Sequence, residues 1–247
     1  MEVRRLSCAE GSRDARGVAV VIDVFRAFTC EPLLYAMGAA EVVLEGDVER
    51  CLRLKGDAVL VGEVNEQPIS GFDFTNSPTH IAAAGPVAFA GRRVIHRSTA
   101  GVTGALAALD RCDEVLLGAF VTARATARYI LAHSPTLVSL VAMGMRGKEP
   151  APEDECCADY IESLLTDRAY DHLAALNTIL HQSTAMRFLR GDKPYLPPQD
   201  PVYCLQRDLF PFALKAERCK DWVVARQVAV AVVAPEPFRQ RDERRFL

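Results

Sequence analysis

Short runs of consecutive Val, Ile and Leu alternate along the chain with longer segments in which apolar positions return every three or four residues. A continuous apolar run is the pattern of a strand buried on both faces, and the 3.6-residue return is that of a helix with one face on a core. The runs predict strands over residues 18–24 (VAVVIDV), 41–44, 58–62, 93–96, 114–118, 136–142 and 222–233. The intervening segments predict helices over 29–37, 48–54, 77–84, 102–109, 121–132 and 153–165, several opening at Ser, Thr or Gly and closing before Gly, Asp or Pro. Strands and helices in this alternation pack as a three-layer α/β/α sandwich around a largely parallel or mixed sheet.

With 247 residues, half of them hydrophobic, the chain has ample material for a core, and disorder is excluded. No internal repeat or low-complexity tract divides it, so one compact domain is expected. The texture changes after Leu180: residues 191–201 (GDKPYLPPQDP) hold four of the fourteen prolines and predict an extended connection. The expected organisation is an α/β core over 1–190 and a C-terminal extension over 191–247 that returns a strand to the core. Its end carries Arg239, Arg241, Arg244 and Arg245 beside Asp242 and Glu243, a solvated charged tail.

Lys plus Arg at 29 against Asp plus Glu at 32 leaves a net charge of −3, so no global basic field points to nucleic acid or to an anionic membrane surface. The apolar run at 228–234 is far below the roughly 18 residues of a membrane span. The first seventeen residues have charges but no apolar stretch after them, unlike a secretory signal, which makes the cytoplasm the expected compartment. Eight scattered cysteines without a C-x-x-C read as reduced thiols, and no histidine stands at zinc-finger spacing from a cysteine pair. A homodimer is the default assembly for a cytoplasmic protein of this size.

Ligands of α/β sheets gather beyond the carboxyl ends of the strands, which directs attention to the polar residues that follow apolar runs. Four clusters stand there. The first ends an apolar strand with Asp23 and Arg26; such a pair either ties two elements together or supplies a metal ligand or nucleophile and a planar clamp for phosphate oxygens. The second is a long polar loop with Glu63, Asn65, Glu66, Asp73, Asn76 and Ser77, where Ser77 or Asn76 caps a helix that Pro78 begins; a helix start is also an anion site. The third, HRSTAGVTG at 96–104, joins a strand to a helix through hydroxyls, glycines and Arg97, a composition that suits either a tight turn or an anion cradle. The fourth, MGMRGKEPAPED at 143–154, brings Glu153 and Asp154 to a helix start, where the helix dipole favours acids in any case. Neither nucleotide-binding glycine motif is present. Carboxylates of this kind, predicted at one sheet edge, suit Mg²⁺, which binds through one or two carboxylates, water and substrate phosphate.

In order along the chain, VIDVFRAFT (21–29), GE (62–63), GFDFTNSP (71–78), RSTAG (97–101) and GMRGKEPAPED (144–154) resemble the motifs of the 2-phosphosulfolactate phosphatase family. The resemblance spans residues 18–165. It implies a Mg²⁺-dependent phosphatase acting on the phosphate monoester of a small 2-hydroxy carboxylic or sulfonic acid, on an α/β fold without a P-loop. Carried onto this sequence, it makes Asp23, Arg26, Glu63 and Asp73 the catalytic candidates. The metal candidates are Asp23, Glu63, Asp73, Glu153 and Asp154. Asn76, Ser77, Arg97, Ser98, Thr99 and Gly101 are the substrate-binding candidates, with Arg97 facing the carboxylate or sulfonate. The chain departs from the family pattern at Phe28, Thr75, Arg97, Ala100 and Val102, and at 150–152, where a serine is usual. Whether water or a carboxylate attacks stays open at this level, as does the alternative of a sensor that binds such an acid without hydrolysing it. A haloacid-dehalogenase-like phosphotransferase is disfavoured, because the second acid expected two positions after Asp23 is Phe25.

Overall fold

A computed structural model describes residues 1–230; the charged tail and the last three residues of the strand expected over 222–233 lie outside the described residues. The strands are β1 (Glu2–Ser7), β2 (Val18–Ile22), β3 (Glu41–Leu44), β4 (Val59–Gly62), β5 (Arg93–Arg97), β6 (Glu114–Gly118), β7 (Leu137–Ala142), β8 (Phe212–Cys219) and β9 (Trp222–Ala229). The helices are α1 (Cys8–Asp14), α2 (Ala27–Ala36), α3 (Val48–Leu54), α4 (Pro78–Ala84), α5 (Pro86–Phe89), α6 (Gly101–Ala108), α7 (Ala123–His133), α8 (Pro152–Thr166), α9 (His172–Leu180), α10 (Ser183–Leu189) and α11 (Asp200–Cys204). Each expected strand and helix has a counterpart within a few residues at its ends.

Two strands and five helices were not in the sequence pattern. β1 lies at a sheet edge and pairs only with β7, so its polar residues Glu2, Arg4 and Arg5 break the apolar run that marks a buried strand. β8 alternates buried and partly exposed positions around Lys215, Glu217 and Arg218 and lacks the same signature. The missed helices α1, α5, α9, α10 and α11 have nine residues or fewer; runs this short show too little periodicity to stand out.

The nine strands form one sheet in the order β1-β7-β2-β6-β8-β9-β3-β5-β4. β1, β7, β2 and β6 run parallel, as do β3, β5 and β4. The hairpin β8–β9 joins the two blocks and pairs antiparallel to β6 on one side and to β3 on the other. The blocks therefore run in opposite directions, and a flat sheet would hold their carboxyl ends at opposite edges. They meet nonetheless: Gly101 N–H, just past β5, donates to Asp23 after β2 at 2.8 Å. The sheet must coil for this to happen. A twist of roughly 20–25° per strand, taken over the six steps from β2 to β4, turns the second block most of the way back toward the first.

The coil wraps one core around α2 and α6. Val21, Val115 and Leu117 of the first block and Val42, Val61 and Val94 of the second all bury against Phe28, Leu34, Val102 and Ala105. On the opposite face of the first block, Val20, Ile22, Leu116 and Leu140 meet Ile130, Ile161 and Ile179 of α7, α8 and α9. The far face of the second block packs Val43, Leu60 and Ile95 on Cys51 of α3. Alternate residues of β2 thus serve two different cores, as the two-residue period of a central strand dictates. Residues 191–199 form turns between α10 and α11, without helix or strand.

Candidate active site

Where the coiled sheet brings the strand ends together, a cleft with an empty volume of about 550 Å³ opens, lined by Asp23, Arg26, Glu63, Asn76, Ser98, Thr99, Glu153 and Asp154 from the sequence-based set. Asp23 sits where the starts of α2 and α6 converge. Its Oδ1 accepts Ala27 N–H at 3.3 Å and its Oδ2 accepts Gly101 N–H at 2.8 Å. Asp154, at the start of α8, accepts Val24 N–H at 2.8 Å and Gly144 N–H at 2.7 Å. Gly144 has a left-handed backbone, and a Cβ there would stand 2.1 Å from Glu149 O, so the turn that presents its N–H to Asp154 requires glycine. Glu153 accepts the Thr184 hydroxyl at 2.9 Å, and Glu63 accepts Thr99 N–H and the N–H of Glu66.

These acids are buried together, and their protonation reflects it. Desolvation, with the Glu63 charge added, pushes Asp23 up to about 6. Desolvation raises Glu153 to about 7, against hydrogen bonds that favour its ionised form. Desolvation and the charges of Asp23 and Glu153 hold Asp154 well above the usual carboxylate range. Backbone N–H groups fix the orientation of Asp23 and Asp154, and the Thr184 hydroxyl that of Glu153, while their oxygens keep further lone pairs.

Behind the cleft a buried polar chain positions Asn76. Glu31 and His96, both fully buried, meet at 2.7 Å through His96 Nδ1, and His96 Nε2 lies 3.0 Å from Asn76 Oδ1. The Asn76 amide N–H₂ donates to Arg97 O at 3.3 Å. Arg26 is 3% exposed. Among the described residues its hydrogen bonds run through Nη1 alone, to Tyr195 O at 2.7 Å and to Asp200 Oδ2 at 3.3 Å, so the rest of the guanidinium fork is free for a ligand.

Four candidates stand elsewhere. Asp73 does not line the cleft: it pairs with Lys55 at 3.0 Å and accepts Leu60 N–H at 2.8 Å, tying the 71–78 loop to β4. The Arg97 guanidinium is spent on Gly46 O, Glu63 O and the Thr99 hydroxyl, and so holds the loop together instead of facing a ligand. Ser77 caps α4 through His80 N–H and donates to Asp200 at 2.8 Å. Gly101 reaches the cleft only through its N–H on Asp23. The cleft also holds residues that the sequence did not single out as ligands: Glu66, Arg146, Thr184 and Arg187. Arg146 stood within the fourth cluster, but nothing in the sequence marks Thr184 and Arg187 on the short helix α10.

Among the described residues, no three His, Cys, Asp or Glu side chains converge as a protein-only metal cage. Buried, oriented carboxylates whose protons are held first by desolvation and then by one another's charge nevertheless suit a hard cation bound by one or two of them together with water. Among the described residues, no helix is long and apolar enough to cross a membrane.

An α/β sheet whose strand ends carry buried acids opposite arginine forks describes an enzyme of phosphate-ester chemistry. The family described as 2-phosphosulpholactate phosphatase matches residues 7–217, and the chain belongs to that family, among the phosphoric monoester hydrolases. A probable 2-phosphosulfolactate phosphatase of Bacillus subtilis is 30% identical over 81% of this chain and 87% of its own. Proteins of the same description from Deinococcus radiodurans (38% identical over 53% of this chain and 55% of that one) and Caldanaerobacter subterraneus subsp. tengcongensis (32% over 66% and 68%) are also similar.

Proposed function

We propose that the cleft hydrolyses the phosphate monoester of a small 2-hydroxy carboxylic or sulfonic acid, 2-phosphosulfolactate or a close analogue, with Mg²⁺ as cofactor. The observation that carries this reading is the set of buried carboxylates, Asp23, Glu63, Glu153 and Asp154, each oriented by N–H or hydroxyl donors at one cleft that also contains arginines. Asp23, Glu153 and Asp154 are the residues suited to hold the metal, which supplies charge neutralisation at the phosphoryl oxygens. Arg26, with the N–H and hydroxyl of Ser98 alongside, binds the remaining phosphate oxygens and aligns the ester for in-line displacement. Asn76, held by His96, closes the wall beside the ester.

Eight free cysteines accord with a reducing cytoplasm, and a two-fold homodimer is the assembly we expect. The test is release of inorganic phosphate from 2-phospholactate and 2-phosphosulfolactate, with Mg²⁺ and after chelation, by the native chain and by Asp23→Asn. The expected result is Mg²⁺-dependent release that Asp23→Asn lowers by at least about a hundredfold. Turnover by Asp23→Asn at the native rate without metal would refute the proposal. Binding of either ester with no release in any condition would replace the enzyme with a sensor.

A further inference from the structure

Arg187 and Arg146 converge on a single oxygen of Glu66, Arg187 Nη1 at 2.6 Å and Arg146 Nη2 at 3.6 Å from Oε2, and all three residues line the cleft. Stability does not explain this arrangement. The three side chains are between a fifth and a half exposed, and exposed ion pairs contribute little. Both Glu66 (φ 71°) and Arg146 (φ 57°) adopt a left-handed backbone that disfavours any residue with a side chain. Arg187 in addition has a buried Nε with no hydrogen-bond partner among the described residues.

We propose that Arg146 and Arg187 form the subsite for the second anionic group of the substrate, the carboxylate or sulfonate carried next to the phosphate ester. Glu66 stands in for that group when the cleft is empty. This rests on the preceding reading that the ester itself lies over the buried acids. Two guanidinium groups directed at one carboxylate oxygen are the arrangement that recognises a carboxylate, and a sulfonate offers the same acceptors. The placement suits a short molecule. On α10, Thr184 donates to Glu153, and Arg187, three residues later on the same face, reaches Glu66. Glu66 in turn donates its N–H to Glu63, so the stand-in carboxylate is one residue's reach from the acid centre. Arg97, the residue expected from sequence to meet the acid, is occupied by Gly46, Glu63 and Thr99.

The test compares 2-phospholactate with isopropyl phosphate, which has a methyl group in place of the carboxylate. Arg187→Gln is expected to lose about ten- to hundredfold more kcat/KM on 2-phospholactate than on isopropyl phosphate, mostly in KM, the span that one charge-assisted hydrogen bond carries. Arg146→Gln follows in the same direction to a smaller extent, and Glu66→Gln lowers KM for 2-phospholactate by removing the internal competitor. Equal losses on the two esters would overturn the subsite. A native enzyme that hydrolyses isopropyl phosphate and not 2-phospholactate would overturn it and leave the phosphatase reading standing. Calorimetry of 2-phospholactate with Asp23→Asn and with Asp23→Asn/Arg187→Gln reads the subsite without turnover: about tenfold weaker binding in the double variant supports it, whereas equal affinity, or no binding to either protein, overturns it.

Discussion

Replacing Gly101 with alanine is expected to remove most of the activity with little harm to the fold. Gly101 opens α6 outside the left-handed region, so alanine suits its backbone and the difficulty is purely one of space. An ideal Cβ there stands 2.7 Å from Asp23 Oδ2, 2.9 Å from Asp23 Cβ and 3.1 Å from Ala27 Cβ, while ordinary contact begins at 3.4 Å. The carboxylate must therefore give way by 3.4 − 2.7 = 0.7 Å, and it has nowhere to go: it is 7% exposed, with its other oxygen on the N–H of Ala27. The hydrogen bond from Gly101 is lost or bent, at about 1.5–3 kcal/mol for a bond to a charged group, against a gain of about 0.5–1 kcal/mol for alanine over glycine in a helix. The net is about 1–2 kcal/mol, a fall in Tm of roughly 2–8 °C for a chain of this size. A reacting group displaced by that much costs kcat about ten- to hundredfold. The assay is phosphate release from 2-phospholactate with a thermal melt in parallel. Gly46→Ala serves as the control, since its Cβ would meet Thr103 and Leu106 at ordinary distances of 3.5 and 3.6 Å. Native kcat and Tm in Gly101→Ala would refute the claim that the α6 start holds a catalytic Asp23.

Asp200→Ala is expected to lower stability by about 3–5 kcal/mol in denaturant titration, because it strips the buried Arg26 of its counter-charge and leaves Ser77 and Thr79 N–H without their acceptor; a loss under 1 kcal/mol would show that Arg26 is neutralised by some other group. Asp73→Asn should leave turnover unchanged and cost less than about 1 kcal/mol, its ion pair with Lys55 being more than one-third exposed; a large fall in kcat would return Asp73 to the site. The pH dependence follows from the raised carboxyls. Asp23 at about 6 and Glu153 at about 7 stand above their ordinary values of 3.8 and 4.5, so the folded metal-free protein binds protons that the unfolded chain releases. That contribution is present in full below about pH 4 and is lost as pH rises through about 7. A cation that offsets the ionised acids should then raise Tm more at about pH 8 than at about pH 5. Equal Mg²⁺ increments at the two pH values would contradict it.

Most of the scaffold was legible because β-branched runs such as VAVVI in β2 and LVSLVA in β7 can only be buried strands. The acids that follow them were legible for the same reason, since a carboxylate that ends an apolar run is out of place unless something uses it. What escaped was set by pairing partners. Nothing local states that β8 and β9 enter the middle of the sheet and reverse its second half, and the expectation of one shared parallel edge failed there, although the coil restored the meeting of strand ends by another route. Asp73 and Asp23 look alike in sequence, both acids in apolar surroundings. Only the fold sets Lys55 beside the one and the start of α6 beside the other. Arg97, expected at the ligand, is consumed by loop carbonyls within its reach, whereas Arg187, which nothing in the sequence marked, lines the cleft from a helix across it.

The small net charge of the chain conceals how unevenly the cleft is charged. Five acids line it, Asp23, Glu63, Glu66, Glu153 and Asp154, against three arginines, Arg26, Arg146 and Arg187, which leaves −2 when all are ionised. An ester that brings a phosphate and a second acid group would enter a field of its own sign. Protons held by the raised carboxyls relieve part of this at low pH, and the exchange of Glu66 for the substrate's own acid relieves one charge more, leaving the two arginines with a partner throughout. On the Mg²⁺ reading the ion removes the rest, so cation and ester each bind better in the presence of the other, by the same factor in both directions. A cleft with arginines alone would hold the phosphate product as readily as the substrate. On the Mg²⁺ reading, the buried carboxylates would make anion binding depend on the cation and so give the product a route to leave.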